Sequence, residues 1–180
     1  MNKRCLVVAV VEDEHHRMLI YRYLIKSGMW PIRIVLSPSG QGSAENWVRR
    51  TFAKEVKTYR SRHAQTKLVV IIDADTDTVQ DRLKQLDQAL QNTGKEPVDT
   101  RSEQIARLVP KRNVETWILC LNEQVVNEDE DYKKKRENWN ELIPTAAETL
   151  FQWTRSHEAL PEYCVDSLHH GIGELKRLIR

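Results

Sequence analysis

Leu68-Val69-Val70-Ile71-Ile72-Asp73-Ala74-Asp75-Thr76-Asp77 is an apolar run that ends abruptly in carboxylates at every second position. An apolar stretch this short, without alternation, reads as a strand buried on both faces of a parallel sheet. Two carboxylates ~4 Å apart repel by roughly 4 kcal/mol at an effective dielectric of 20. A half-buried set therefore needs a cation, a proton or a basic partner. In an extended segment alternate residues project to one side. Asp73 and Asp75 are thus expected to aim at one point, with Asp77 close behind.

The flanking sequence repeats the same grammar. Leu6–Val11 is a second Val-rich buried strand, followed by a helix over 14–27 with Leu19/Tyr23 and Ile20/Leu24 at i,i+4 spacing and Gly28 as its stop. Ile32–Leu36 is a short strand leading into the loop Ser37-Pro-Ser-Gly-Gln-Gly-Ser43, and 44–62 is a helix with Val48, Phe52 and Val56 on one stripe. After the acidic run, Val79, Leu83, Leu86 and Leu90 mark a helix over 79–92. Ile105–Val109 is a fourth strand ended by Pro110, and Asn113 is placed to cap a helix carrying Val114, Trp117, Ile118 and Leu121. Strands alternating with helices predict an α/β fold with a parallel four-stranded sheet. Periodicity weakens after about residue 125. The expected division is an α/β domain over 1–125 and a small helical C-terminal appendage over 126–180. Within the tail, the mixed-charge block 127–137 reads as a solvated loop or exposed helix face, Thr145-Ala-Ala-Glu148 as a capping box that starts a helix, and 163–179 as a last amphipathic helix.

Bulk properties exclude several classes. The 180 residues are 40% hydrophobic and 30% charged, ordinary for a globular protein, and a formal charge of +2 gives no global field for nucleic acid. Cys5, Cys120 and Cys164 are few and widely spaced, which predicts reduced thiols and a cytoplasmic location. No apolar run approaches the ~20 residues a membrane span needs. Glu12-Asp13-Glu14 follows the N-terminal apolar stretch where a signal peptide would have small residues, so neither a leader nor a membrane partner is expected.

In an open parallel sheet, ligands bind beyond the carboxyl ends of the strands. Glu12 after the first strand and Asp73, Asp75 and Asp77 after the third are placed there together. Oxygen ligands of this kind suit a hard cation, Mg²⁺ or Mn²⁺. Asp77 reads equally as a helix cap. Glu115, in the first turn of its helix, reads either as a metal ligand or as a favourable charge at the helix N-terminus. Lys111 and Arg112 follow the fourth strand and would flank the site, where a cation can neutralise a phosphate or contact a nucleic-acid backbone. For Lys111 the plain alternative is a salt bridge.

Val11-Glu12 at the first strand end and Ile71-Ile72-Asp73-Ala74-Asp75 at a later one resemble the TOPRIM fold of topoisomerases, primases and OLD-type nucleases, over roughly residues 5–122. Gly40-Gln-Gly42 and Pro110-Lys-Arg-Asn-Val-Glu115-Thr-Trp117 are similar to elements of small stand-alone TOPRIM-like proteins. The resemblance implies a Rossmann-like TOPRIM domain whose Glu12, Asp73 and Asp75, with Asp77 and Glu115 as further candidates, hold one or two divalent ions for phosphodiester hydrolysis, with Lys111 steadying the phosphate. It also implies nucleic acid, DNA or RNA, as substrate, a role in bacterial anti-phage defence, an ATPase partner and a possible homo-oligomer. Two positions depart from the family. Asp13 stands where glycine is usual, and His15 and His16 lie around the place of a second acidic residue. His16 is a candidate metal ligand, general base or surface residue. No zinc spacing supports a primase, and no separate domain supplies a topoisomerase tyrosine.

Two other readings compete. One is a catalytically inactive TOPRIM-like binding or regulatory subunit of an ATPase complex, favoured by the misplaced second acidic residue. The other is a receiver-type phosphoacceptor, weakened because Asp75 and Asp77 replace the Met-Pro turn expected after the phosphorylated aspartate. The loop Ser39–Ser43 reads as a flexible connector or, ahead of a helix, as a backbone cradle for a phosphate, and the basic residues Arg49, Arg50, Lys54, Lys57, Arg60 and Arg62 read as a solvated helix face or as one that tracks a nucleic-acid backbone.

Overall fold

The computed structural model describes residues 5–40, 42–62 and 65–179. Gln41 of the glycine-rich loop lies outside the described residues; Gly40 and Gly42 on either side of it have φ of 78° and 79°, a conformation glycine adopts without a Cβ penalty. The chain runs β1 (Leu6–Val11), α1 (Glu14–Lys26), β2 (Ile32–Leu36), α2 (Ala44–Ser61), β3 (Thr66–Ile71), α3 (Val79–Gln91), β4 (Ile105–Leu108), α4 (Val114–Leu121), α5 (Trp139–Arg155) and α6 (Asp166–Ile179), with a 3₁₀ turn at Tyr132–Lys134. The fold is α/β and Rossmann-like, with four parallel strands in the order β2-β1-β3-β4 and helices on both faces.

The period of two along each strand sorts the core. Val7, Ala9, Val11, Val69, Ile71 and Leu108 point to the face covered by α1, α4, α5 and α6. Val8, Val10, Leu68, Val70, Ile72 and Ile105 point to the face covered by α2 and α3. Residues beyond position 125, among them Ile143, Leu150, Leu168 and Leu175, lie in the same buried cluster as β1 and β3. Trp117 of α4 is fully buried and its indole N–H donates to Ser167 Oγ at 2.7 Å. A Cβ at Gly171 of α6 would sit 2.4 Å from the Trp117 ring, so that position admits only glycine without movement.

Three boundaries differ from expectation for identifiable reasons. The third strand begins at Thr66, two residues earlier than its apolar run, because Leu6 pairs with Thr66 and Val7 with Lys67 along β1. It hands over to an extended stretch in which Ile72 and Ala74 still donate to Leu108 and Pro110 carbonyls at 3.1 and 2.8 Å. The capping box at Thr145 is not a helix start. α5 begins at Trp139 and runs through Pro144, and Thr145 is interior. Trp139, Leu142 and Ile143 bury apolar surface against the sheet-side cluster, and this packing outweighs the one hydrogen bond that proline removes.

Block 127–137 is the mostly exposed loop expected, with one buried anchor. Tyr132 is buried, and its hydroxyl accepts from the Asn127 amide at 3.0 Å. No described helix is long and apolar enough to cross a membrane.

Candidate metal centre

The strand order changes direction between β1 and β3: from β1 the chain goes first to β2 on one side and then to β3 on the other. At such a switch point the two following loops part and leave a crevice. Val11 pairs with Ile71, so the residues just past each strand, Glu12 and Asp73, meet there. The Asp73 amide donates to Glu12 Oε2 at 2.9 Å.

Asp13 caps α1. Its Oδ1 accepts from the His15 and His16 amides at 3.0 and 3.2 Å, satisfying donors that a helix start otherwise leaves free. The same oxygen lies 2.7 Å from His16 Nδ1, and the other ring nitrogen, Nε2, lies 2.8 Å from Asp73 Oδ1. Both ring nitrogens thus face carboxylate oxygens, an arrangement that only the doubly protonated ring satisfies. Burial alone would push His16 down, but the charges of Asp73 and Asp13 hold its pKa well above the usual histidine value. Burial likewise opposes ionisation of Asp13, and His16 with Lys133 overcomes it, leaving that carboxyl well below the ordinary range. His16, one of the open sequence candidates, is therefore a buried cation between two aspartates, not a surface residue.

Glu12 has the opposite fate. Desolvation, then the adjacent Asp73 charge, raises its pKa to about 7 against the weaker pull of His16 and Lys133. Lys133 closes the site from the 3₁₀ turn: its Nζ stands 3.1 Å from Asp13 Oδ2 and 3.6 Å from Asp73 Oδ2. Those two carboxylates keep the ammonium charged despite its partial burial. Sequence reading missed Lys133 because it sits in a block of like-looking lysines. The one available signal was Tyr132, a large apolar residue in the middle of charges.

One ligand atom each from Glu12, His16 and Asp73 lie within 4.8 Å of one another. Asp75 and Asp77 are not in this set. Asp75 has φ of 54°, so the segment leaves the extended conformation at that residue, and the Asp77 amide closes a turn onto Ala74 O at 2.9 Å. The alternation expected of an Asp-x-Asp-x-Asp strand end therefore stops at Asp73. Asp75 and Asp77 instead flank the buried guanidinium of Arg82 at 3.7 and 3.6 Å, and Gln85 donates to Asp77 at 3.0 Å. Arg82 also binds Ala74 O and Glu45, fastening the turn to the start of α2. Thr78, not Asp77, caps α3. Burial and the Asp73 charge raise the pKa of Asp75.

Glu115 is fully buried beside this crevice. Its Oε1 lies 2.6 Å from His15 Nδ1, and that bond raises the imidazole pKa. Lys111 and Arg112 turn elsewhere: Lys111 Nζ is 2.7 Å from Asp129 and Arg112 is 3.8 Å from Asp131. For Lys111 the structure shows the salt bridge that is its plain alternative, with Asp129 as the partner. Asn113 stands at the start of α4 without a side-chain capping bond. It donates to Asp131 Oδ1 at 2.9 Å and so helps hold the loop that presents Lys133.

Two buried carboxylate oxygens at this site, Asp73 Oδ2 and Glu115 Oε2, have no hydrogen-bond partner among the described residues. Asp73 Oδ2 faces the Lys133 ammonium at 3.6 Å, which leaves Glu115 Oε2 as the one of the two for which no ion pair is seen, and such carboxylate oxygens are costly unless a cation or donor faces them. Carboxylate oxygens accept Mg²⁺ or Mn²⁺, and the doubly protonated His16 ring has no lone pair to add to them. No protein-family model, no curated protein and no solved structure matches the chain.

Proposed function

We propose that the protein is a divalent-metal-dependent nuclease that hydrolyses phosphodiester bonds of DNA or RNA. The observation that carries this reading is the convergence of Glu12, His16 and Asp73 at the sheet's switch point, beside a buried Glu115 oxygen that has no hydrogen-bond partner among the described residues. Glu12 and Asp73 would hold Mg²⁺ or Mn²⁺, and Glu115 would serve a second ion. When bound, such ions stabilise the attacking and leaving oxygens of phosphoryl chemistry. The chain's own groups do the rest. His16 fixes the Asp73 carboxylate, Asp13 fixes His16, and Lys133 takes the phosphate-neutralising role that position 111 is too far committed to Asp129 to fill. Asp75 and Asp77 hold the site turn through Arg82. The family resemblance extends this proposal to an anti-phage defence effector that works with an ATPase partner.

The test is a cleavage assay with Mn²⁺ on DNA and tRNA, alone and with an ATPase encoded beside the protein, comparing the native protein with Asp73→Ala. Cleavage is expected to fall by roughly 10²-fold or more in the variant. Equal products from both proteins would remove the proposal.

A second reading has its own observation. His16 and Lys133 already neutralise Asp13 and Asp73 without any metal, as a purely regulatory TOPRIM-like subunit would require. Calorimetry separates the two: a chain that takes up no Mn²⁺ at millimolar concentration is the regulatory module.

A further inference from the structure

A cavity of about 400 Å³ opens at the other end of the sheet, roughly 20 Å from Glu12 by the rise of β1. Cys5 and Val7 of the β1 end and Lys67 of β3 form its base. The turn between α1 and β2 gives Met29 and Trp30, and the end of α5 gives Phe151 and Arg155. This size is within the range of small-ligand pockets.

Its charge is one-sided. Lys67 and Arg155 line it, and among the described residues no aspartate or glutamate does. Lys67 Nζ donates to the carbonyl of Leu178 in the last turn of α6; an ammonium has three donors, so two remain. The Arg155 guanidinium lies over the Phe151 ring, 5.4 Å from its centroid, a contact that consumes none of its donors. Trp30 is 56% exposed, an unusual placement for the largest side chain on a molecule that buries Trp117 completely. An indole and two cations around one concavity form a complementary surface for a flat ring joined to a negative group.

We propose that this cavity binds a flat-ringed organic anion, with the ring on Trp30 and the anionic group on Lys67 and Arg155. A nucleoside monophosphate and an aromatic carboxylate share that chemistry. The site has no residue in common with the metal centre, so its occupancy and the nuclease reading stand or fall separately.

The full chain is titrated by calorimetry and tryptophan fluorescence with adenosine monophosphate, benzoate, neutral adenosine and inorganic phosphate. Saturable binding of adenosine monophosphate or of benzoate is expected, and whichever binds names the anionic group. Adenosine and phosphate alone should bind at least about ten-fold more weakly, and Arg155→Ala and Lys67→Met should each weaken the anion by roughly ten-fold or more, the worth of a charged hydrogen bond. Trp30→Ala should abolish the fluorescence response. Arg155 is exposed on a helix end, so its variant tests the site without threatening the fold; thermal melting checks Lys67→Met. No saturable binding of either anion at millimolar concentration, binding that Arg155→Ala leaves unchanged, or inorganic phosphate binding as tightly as the ringed anions would each overturn the proposal.

Discussion

His16 Nε2 and Asp73 Oδ1 lie 2.8 Å apart with both side chains fully shut off from water. They join α1 to the end of β3 across 57 positions of sequence. Breaking a buried ion pair from one side leaves an uncompensated charge, which costs about 3–5 kcal/mol. His16→Leu should therefore lower unfolding free energy by about that amount in urea titrations, and adding Asp73→Asn should recover part of the loss. A single-variant loss below about 1 kcal/mol would mean that the pair is not formed in solution.

The same cluster sets a pH dependence. Asp13 has a lowered folded pKa, so its contribution is complete above its unfolded value, about 3.9, and is lost as pH falls below it. His16 has a raised folded pKa, so its contribution is complete below about 6.5 and is lost as pH rises through the folded value. Glu12, raised to about 7, resists ionisation, so stability falls as pH climbs from its unfolded value of about 4.3 toward 7. Stability should peak near pH 4–5 and decline toward neutrality, by at most about 1.4 kcal/mol per pH unit from Glu12. Glu12→Gln should flatten that decline in denaturant melts between pH 5 and 7. An unchanged slope in the variant would place its origin elsewhere.

Lys133 stands where a metal would draw on the same carboxylates. Removing it in Lys133→Met should tighten Mn²⁺ binding in calorimetry by about three- to ten-fold. The gain is modest because the side chain is 45% exposed and its pairings are screened. If the proposed nuclease reading holds, cleavage by the Mn²⁺-loaded variant should fall by roughly 10²-fold even as affinity rises. Weaker Mn²⁺ binding in the variant would show that the ammonium supports the ion instead of competing with it.

Gly171→Ala forces a methyl into the Trp117 ring. Overpacking of this kind costs about 1–3 kcal/mol. Because Trp117 is two residues from Glu115 on α4, the strain should reach the His15–Glu115 contact and alter the His15 imidazole resonances in NMR. Spectra and melting temperature identical to those of the native protein would show that α6 yields instead of α4.

The strands were legible because each was a bounded apolar run, and the alternation of strands with helices carried the parallel sheet. Glu12 and Asp73 followed from strand ends alone. Asp75 did not: its backbone leaves the extended conformation, and its carboxylate lies beside Arg82, a buried residue seven positions later whose place against the turn is not local information. Lys133 escaped for a similar reason. Nothing local distinguishes it from Lys134 and Lys135, and its role comes from Tyr132 anchoring the loop and Asn113 tethering Asp131. The start of α5 was misplaced because a capping box is a local preference, whereas Trp139 and Ile143 gain a buried face.

Asp13 is used twice, once by the backbone at the start of α1 and once by the His16 ring. Helix ends ordinarily fray, and their first amides exchange with solvent through small local openings. Here the first turn cannot unwind without also stranding His16 and Asp73 in the interior. The His15 and His16 amide protons should therefore exchange as slowly as those of the central strands, through global unfolding, which makes the opening of this helix and the dismantling of the charge cluster a single cooperative event.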